Sequence, residues 1–168
     1  GSVASDVVSK TPIPLVILRA DSRAVTEIAR ILVPLDGTTA GALALGLAKR
    51  LADATGAQLT VLQVIEPIPA SFYASASSKL RFTDEDWEIA ALAGAREYVG
   101  QLAERLQARE VTATGLATIG DVPTTIAQTA LDNSADLIVM STRGRTGPAR
   151  AVLGSVADAV VRQAQPPV

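Results

Sequence analysis

The 168-residue chain contains neither cysteine nor histidine. Without cysteine it has no disulfide, no thiol nucleophile and no thiolate metal site. Without histidine it lacks the commonest general base and the commonest transition-metal ligand. Aromatic residues make up only 3% of a sequence that is 48% hydrophobic, so the core must be aliphatic. Any catalysis would have to use carboxylates, hydroxyls or a cation carried by a nucleotide.

Strong charge and long apolar runs are also missing. The net charge is −2, whereas domains that bind nucleic acid usually present a basic face. No apolar run approaches the roughly 20 residues that cross a bilayer, and no secretory signal pattern is present. We therefore expect a cytoplasmic protein with neither nucleic acid nor a membrane as its partner, and the length suits one domain.

Apolar segments alternate with amphipathic ones along most of the chain. The pattern predicts strands at 15–18, 30–35, 59–65, 111–119 and 137–141, and helices at 40–54, 84–108, 124–133 and 156–161. Such alternation is typical of an α/β fold with a parallel sheet and right-handed crossovers. The spacing of Leu43, Leu47 and Leu51 predicts the buried face of the first helix, and Trp87 begins that of the second. Residues 66–83 form either a solvated surface excursion or a functional lid.

The most informative pattern begins at the end of the strand at 137–141. Ser141-Thr-Arg-Gly144 is followed, after nine residues, by Gly154-Ser155 and a new helix. Glycines let backbone amides come close to an oxyanion. A helix N-terminus offers free N–H groups and the positive end of a dipole. The pattern therefore predicts a phosphate-binding loop.

Charged residues near this loop and near a second strand end have two interpretations each. Arg143 and Arg145 are either solvated surface charges or, as a cluster, phosphate ligands. Asp36 follows the strand at 30–35 and is either a turn residue or a functional carboxylate. Ligands in such sheets bind beyond the carboxyl ends of the strands, which favours the functional interpretation. The sequence has no Gly-x4-Gly-Lys-Ser/Thr motif and no obvious base, so hydrolysis would be slow at best.

The two ends of the sequence carry a repeat. Residues 1–8 and 154–161 agree at six of eight positions, and Pro14-Leu15 falls on Pro167-Val168 at the same offset of 153. An offset of domain size predicts a tandem array. The alternative is that Gly1-Ser2 is a cloning remnant and that the remaining identities are coincidence.

The tandem interpretation divides the chain into three parts. Residues 1–20 resemble the last helix and strand of a preceding repeat, 21–29 form a linker, and 30–168 form a domain that lacks its own last strand. The strand at 15–18 would then fill the vacant edge in the same molecule or in a partner chain.

Several segments resemble, in the same order, those of the universal stress protein family. They are Ile31 to Thr38, Gln63 to Pro67, Gly120-Asp121, and Asp136 to Ala157. The nucleotide-binding branch of the family has the pattern Gly-x2-Gly-x9-Gly-Ser/Thr. This chain matches it from Ser141 to Ser155, with serine in place of the first glycine.

The resemblance implies a three-layer, Rossmann-like α/β/α sandwich around a five-stranded, mainly parallel sheet of order 3-2-1-4-5. It also implies dimerisation, often through the last strand, and binding of ATP or another adenine nucleotide with Mg²⁺ or Mn²⁺ on its phosphates. Transferred to this sequence, the family's site places Asp36 near the ribose or the cation and the backbone of Val64 against adenine. Ser141 and Gly144 would line the ribose and phosphates. Gly154 and Ser155 would hold the phosphates.

We therefore expect a regulatory stress-response protein that binds an adenine nucleotide and acts as a homodimer or a tandem pseudo-dimer, with strand exchange as a variant. Two alternatives stay open. One is a dimerisation module of the same fold with a degraded nucleotide pocket, and the other is a slow ATPase.

Overall fold

Strands and helices alternate along the chain in the computed structural model, which describes residues 11, 13–20, 22, 24–67, 84–142 and 154–168. The elements, in chain order, are β1 (Arg30–Pro34), α1 (Thr39–Thr55), β2 (Gln58–Ile65), α2 (Asp84–Gln107), β3 (Ala113–Ile119), α3 (Val122–Asp132), β4 (Leu137–Ile138) and α4 (Ser155–Gln163). None of the helices in this described part combines the length and apolarity that a bilayer crossing requires.

The described strands form one parallel sheet in the order β3-β2-β1-β4. Its central strand, β1, is a run of aliphatic residues, which suits a strand covered on both faces. Because all the pairs are parallel, the carboxyl ends of β1, β2 and β4 meet at one edge of the sheet. The predicted α/β fold and its strand order 3-2-1-4 are confirmed.

Each face of the sheet packs against its own pair of helices. Successive side chains of a strand point to opposite faces, so Ile31 and Val33 join the core under α1 and α2. Leu32 and Ile138 join the core under α3 and α4, next to Val160. The result is the expected three-layer α/β/α arrangement.

Helix α1 packs closely on the sheet through alanines. Ala44, Ala48 and Ala52 are buried, whereas Leu43 is 74% exposed. Leu47 and Leu51 are partly buried against the same core, so the predicted face is wrong for Leu43 only. The alanines come closest to the strands because their side chains are small. Thr38 caps α1, since its side chain accepts a hydrogen bond from the N–H of Gly41.

Helix α2 comes into backbone contact with β3. A Cβ on Gly115 would lie 2.6 Å from the carbonyl oxygen of Val99, a distance that no side chain tolerates. Trp87 was expected in the buried face of this helix, but it is 36% exposed. The close approach is instead made by the middle of α2, where Ala95 and Val99 are buried.

The sheet continues beyond β4 through isolated backbone contacts. The N–H of Ile138 donates to the carbonyl of Pro167 at 2.9 Å. Val168 then exchanges two hydrogen bonds with Ile17, at 2.7 and 3.1 Å. The sequence predicts that residues 15–18 fill the edge beside β4, in the same molecule or in a partner chain. In the structure Pro167 takes that place and Ile17 lies one position further out.

Candidate functional site

The turn after β1 holds one oxygen of Asp36 in fixed hydrogen bonds. Its Oδ1 accepts from the N–H of Thr38 at 3.0 Å and from the hydroxyl of Thr38 at 2.6 Å. Gly37 makes the turn possible with a φ of 79°, which is accessible mainly to glycine. Within the part of the chain that the structure describes, Oδ2 makes no hydrogen bond. Asp36 therefore acts both as a turn residue and as a half-buried carboxylate with a free acceptor oxygen.

The backbone of Val64 is open toward the same region. The N–H of Leu35 donates to the carbonyl of Leu62 at 2.8 Å, which closes the pairing of β1 with β2. In a parallel strand the backbone groups of residues two apart point to the same side. The N–H and C=O of Val64 therefore point in the direction of β1. They lie past Leu35, where β1 has already turned away from β2. Among the described residues this N–H and C=O make no hydrogen bond, so they can bind the edge of a planar heterocycle.

The two ends of the predicted phosphate loop meet at the carboxyl end of β4. The N–H of Gly154 donates to the carbonyl of Thr142 at 2.8 Å. A Cβ on Gly154 would lie 3.0 Å from that same oxygen. This close contact explains the glycine at position 154 and places the beginning of α4 directly beside Ser141. The contribution of Thr142 was not expected, although it lies within the motif.

The N-terminus of α4 has N–H groups that make no hydrogen bond within the described part of the chain. The first hydrogen bond of the helix runs from the N–H of Asp158 to the carbonyl of Gly154, so the N–H groups of Ser155 and the next two residues precede the ladder. No side chain caps this helix. Asp158 adds a negative charge to the first turn, but it is paired with Arg162 at 3.0 Å. The arrangement suits an anion with several acceptor oxygens.

The predicted site residues thus fall into two groups. Asp36, Val64, Ser141, Gly154 and Ser155 lie at the same edge of the sheet, since β1 is flanked by β2 and β4. Adjacent strands are about 4.8 Å apart, which brings these strand ends within reach of one small molecule. The predicted Arg143, Gly144 and Arg145 lie outside the described residues.

Metal binding by side chains alone has little support in the described ranges. They contain no group of three or more acidic residues that could hold an ion. Asp36 could supply a single carboxylate oxygen to a cation whose other ligands come from phosphates and water. The donor set therefore fits a nucleotide-bound Mg²⁺ or Mn²⁺ better than a resident metal.

The fold and the grouping of the predicted site residues at the carboxyl edge of the sheet define a Rossmann-like α/β protein. The model of the universal stress protein family matches residues 27–168, so the chain belongs to this family. None of the curated proteins matches the sequence of this chain significantly.

Solved structures of family members share this fold. UspA from Lactobacillus plantarum is 23% identical, with a TM-score of 0.69 over 84% of this chain and 95% of that chain. A universal stress protein from Archaeoglobus fulgidus in complex with dAMP is 21% identical, with a TM-score of 0.57 over 83% of this chain and 94% of that chain. Another, from Archaeoglobus fulgidus DSM 4304, is 21% identical, with a TM-score of 0.68 over 98% of this chain and 51% of that chain.

Proposed function

We propose that the chain is a cytoplasmic regulatory protein that binds ATP or another adenine nucleotide at the carboxyl edge of its sheet. The observation that carries the proposal is the hydrogen bond between Gly154 and Thr142. It holds the free N–H groups of α4 beside the ends of β1 and β4, where a phosphate chain can reach them. The related Archaeoglobus fulgidus protein is described in complex with dAMP, which supports an adenine nucleotide as the ligand class.

Each described site residue has a distinct role in this proposal. The N–H groups of Ser155 and the next two residues bind phosphate oxygens, because they lie at the positive end of a helix dipole. Gly154 holds this helix start in place, since its own N–H donates to the carbonyl of Thr142. The backbone N–H and C=O of Val64 bind the edge of adenine, and Ser141 lies along the ribose. The free Oδ2 of Asp36 accepts from a ribose hydroxyl or ligates the cation on the phosphates.

The loop that joins Thr142 to Gly154 completes the phosphate contacts. Gly144 provides close backbone approach, and Arg143 and Arg145 neutralise phosphate charge. Mg²⁺ or Mn²⁺ enters the site bound to the nucleotide, because a single carboxylate, that of Asp36, supplies too few ligands to hold an ion by itself. The function then lies in the bound state and in its recognition by a partner, with slow ATP hydrolysis as the second candidate.

The organisation predicted from the repeat is part of the proposal. Residues 1–20 correspond to the end of a preceding repeat, 21–29 to a linker and 30–168 to the nucleotide-binding domain. Assembly is then either a homodimer or a tandem pseudo-dimer. The universal stress protein that aligns with 98% of this chain spans about twice its length, since the match covers 51% of that protein.

A pair of glycine variants tests the site. Gly154→Ala introduces a Cβ 3.0 Å from the carbonyl of Thr142, which should displace the loop end and weaken ATP binding at least about tenfold. Gly46→Ala is the control, because its Cβ would meet no atom within 4 Å. Affinities are measured by isothermal titration calorimetry with ATP, ADP and AMP in the presence of Mg²⁺, and circular dichroism checks the fold.

Two outcomes would contradict the site assignment. Equal ATP affinity in both variants and the wild type would show that the nucleotide binds elsewhere. No binding by the wild type, with no nucleotide released from the denatured protein in mass spectrometry, would favour the degraded-pocket alternative. ATP turnover above background that is lost in Asp36→Asn would instead support the slow ATPase.

A further inference from the structure

The carboxylate of Asp36 is held by two residues at the beginning of α1. Its Oδ1 accepts from the hydroxyl of Thr38 at 2.6 Å, and the oxygen of that hydroxyl accepts from the N–H of Gly41 at 3.2 Å. An ionised carboxylate can only accept hydrogen bonds, so the proton of the hydroxyl points to Asp36. The three residues therefore form one directed chain, from the N–H of Gly41 through Thr38 to Asp36.

Gly41 also provides the space that the carboxylate occupies. It is buried, and a Cβ at this position would lie 3.2 Å from Oδ1 of Asp36 and 3.3 Å from Cδ2 of Leu35. Nonbonded atoms in ordinary contact lie at about 3.5 Å or more. Leu35 is itself buried in the core, so an added methyl group would displace the carboxylate rather than the leucine.

These contacts fix the direction of the second carboxylate oxygen. The N–H of Thr38 donates to the same Oδ1 at 3.0 Å, so Oδ2 is the oxygen that makes no hydrogen bond to any described residue. A ligand that binds to Oδ2 meets a side chain whose torsion angles are already set. It therefore avoids the entropic cost of immobilising that side chain, which corresponds to a change in affinity of about 2- to 10-fold.

The charges around Asp36 favour a neutral donor as that ligand. Helix α1 has 17 residues and no acidic side chain in its first turn, so the positive end of its dipole is balanced by no carboxylate of its own. Thr38 is the N-cap residue of this helix and contacts Asp36 directly. A cation on Oδ2 would lose part of its attraction to the carboxylate through repulsion by this helix end. A hydroxyl group carries no charge and would not.

We propose that Thr38 and Gly41 are positioning residues, which hold Asp36 so that Oδ2 accepts a hydrogen bond from a hydroxyl group of the nucleotide sugar. Neither residue contacts the nucleotide, and both act through Asp36. The assignment rests on the proposed function and selects the ribose over the cation as the partner of Asp36. The site then prefers nucleotides that carry a sugar hydroxyl, and the cation is held by the phosphates.

The ratio of two affinities measures this contact. Isothermal titration calorimetry gives the affinity for ATP and that for dideoxy-ATP, which lacks both hydroxyl groups of the ribose and keeps the same base and phosphates. Their ratio is here called the sugar selectivity. A hydrogen bond to a charged group corresponds to about a 10- to 100-fold change in affinity, so the wild type should bind ATP at least about tenfold more tightly. The preference should persist when AMP and its dideoxy analogue are compared in EDTA, because no cation takes part in the contact.

Variants at position 38 separate positioning from helix capping. Thr38→Ala removes the hydroxyl and should lower the sugar selectivity about 2- to 10-fold, whereas Thr38→Ser keeps a hydroxyl and should retain the wild-type value. Loss of the cap alone would lower stability without changing this ratio in the folded protein. If Thr38→Ala fails to fold by circular dichroism, Thr38→Gly replaces it, because glycine caps helices almost as well as threonine.

Gly41 provides an independent test. Gly41→Ala brings a methyl group against Asp36 and should lower the sugar selectivity by a similar factor. Gly46→Ala is the control, because its Cβ would meet no atom within 4 Å, and it should retain the wild-type value.

The outcomes separate this assignment from the proposed function. A sugar selectivity near one in the wild type, with ATP still bound, would overturn the positioning role and leave the nucleotide site in place. A selectivity that is lost in EDTA, or that falls equally in Thr38→Ser and Thr38→Ala, would also overturn it. An unchanged selectivity in Thr38→Ala or in Gly41→Ala would overturn it for that residue. Only a wild type that binds no ATP would overturn both.

Discussion

Alanine in place of Gly115 should destabilise the fold through a backbone clash. Its Cβ would lie 2.6 Å from the carbonyl oxygen of Val99 and 2.9 Å from the N of Gly100. Ordinary contacts between such atoms lie at about 3.5 Å or more. Both partners are backbone atoms of α2, so no side-chain rotation can relieve the clash. The helix must therefore move away from β3 by about 1 Å.

The expected cost follows from this displacement. A gap of 0.5–1 Å removes about a quarter to a half of each van der Waals contact, and Ala95, Val99 and Ala103 all lie in the affected face of α2. Overpacked sites typically lose about 1–3 kcal/mol, and the rigidity of both partners here favours the upper half of that range. We expect a loss of about 2–3 kcal/mol in the free energy of unfolding.

Urea unfolding followed by the fluorescence of Trp87 measures this loss, because the chain has one tryptophan and it lies in α2. The matched variant is Gly100→Ala, whose Cβ would meet no atom within 4 Å. It should gain up to about 1 kcal/mol, since alanine is the better helix former. Gly115→Ala should therefore lower the urea concentration at the midpoint of unfolding, and Gly100→Ala should raise it. Equal shifts, or a change below about 0.5 kcal/mol for Gly115→Ala, would refute the contact.

Three further substitutions follow from single interactions. The carboxylate of Asp136 accepts hydrogen bonds from the N–H groups of Ala29 and Arg30, both at 2.9 Å. Asp136→Ala removes this acceptor and should lower the free energy of unfolding in urea by about 3 kcal/mol. Gln63→Met removes a buried Oε1 that has no hydrogen-bond partner among the described residues, so the melting temperature should rise by the equivalent of about 1 kcal/mol. Asp36→Asn keeps an acceptor for Thr38 but loses the charge near the nucleotide, so calorimetry should show Mg-ATP binding about tenfold weaker with unchanged stability.

The four strands of the described sheet were predictable because their burial leaves a direct pattern in the sequence. Residues 15–18, also predicted as a strand, form none and make a single backbone pair, between Ile17 and Val168. In β1 consecutive aliphatic residues serve both faces of the sheet, and only a covered parallel strand requires this. The buried face of α1 was predictable only in part from spacing, because Leu47 and Leu51 pack against the core whereas Leu43 is exposed. Leucines at 43, 47 and 51 and alanines at 44, 48 and 52 share the same period, so the choice between them depends on how closely the helix approaches the sheet.

The sequence predicts residues for the candidate site, and these stay a prediction, but it does not predict the contacts between them. The spacing from Ser141 to Ser155 indicated a loop before a helix, but no pattern indicates that Thr142 is the partner of Gly154. The open backbone of Val64 likewise depends on where β1 turns away from β2. Both features depend on how long neighbouring strands are and where they turn in three dimensions. The residue types near each position do not reveal this.

The hydrogen bond from Gly154 to Thr142 also affects how tightly a ligand can bind. Joining the ends of a loop costs conformational entropy that grows slowly with loop length. Because this bond forms in the fold itself, a nucleotide that binds there does not have to supply that free energy. Preorganisation of this kind raises affinity without adding a contact. Gly154→Ala should therefore lower the affinities for ATP, ADP and AMP by a similar factor. Loss of a direct phosphate ligand would instead lower the affinity for ATP more than that for AMP.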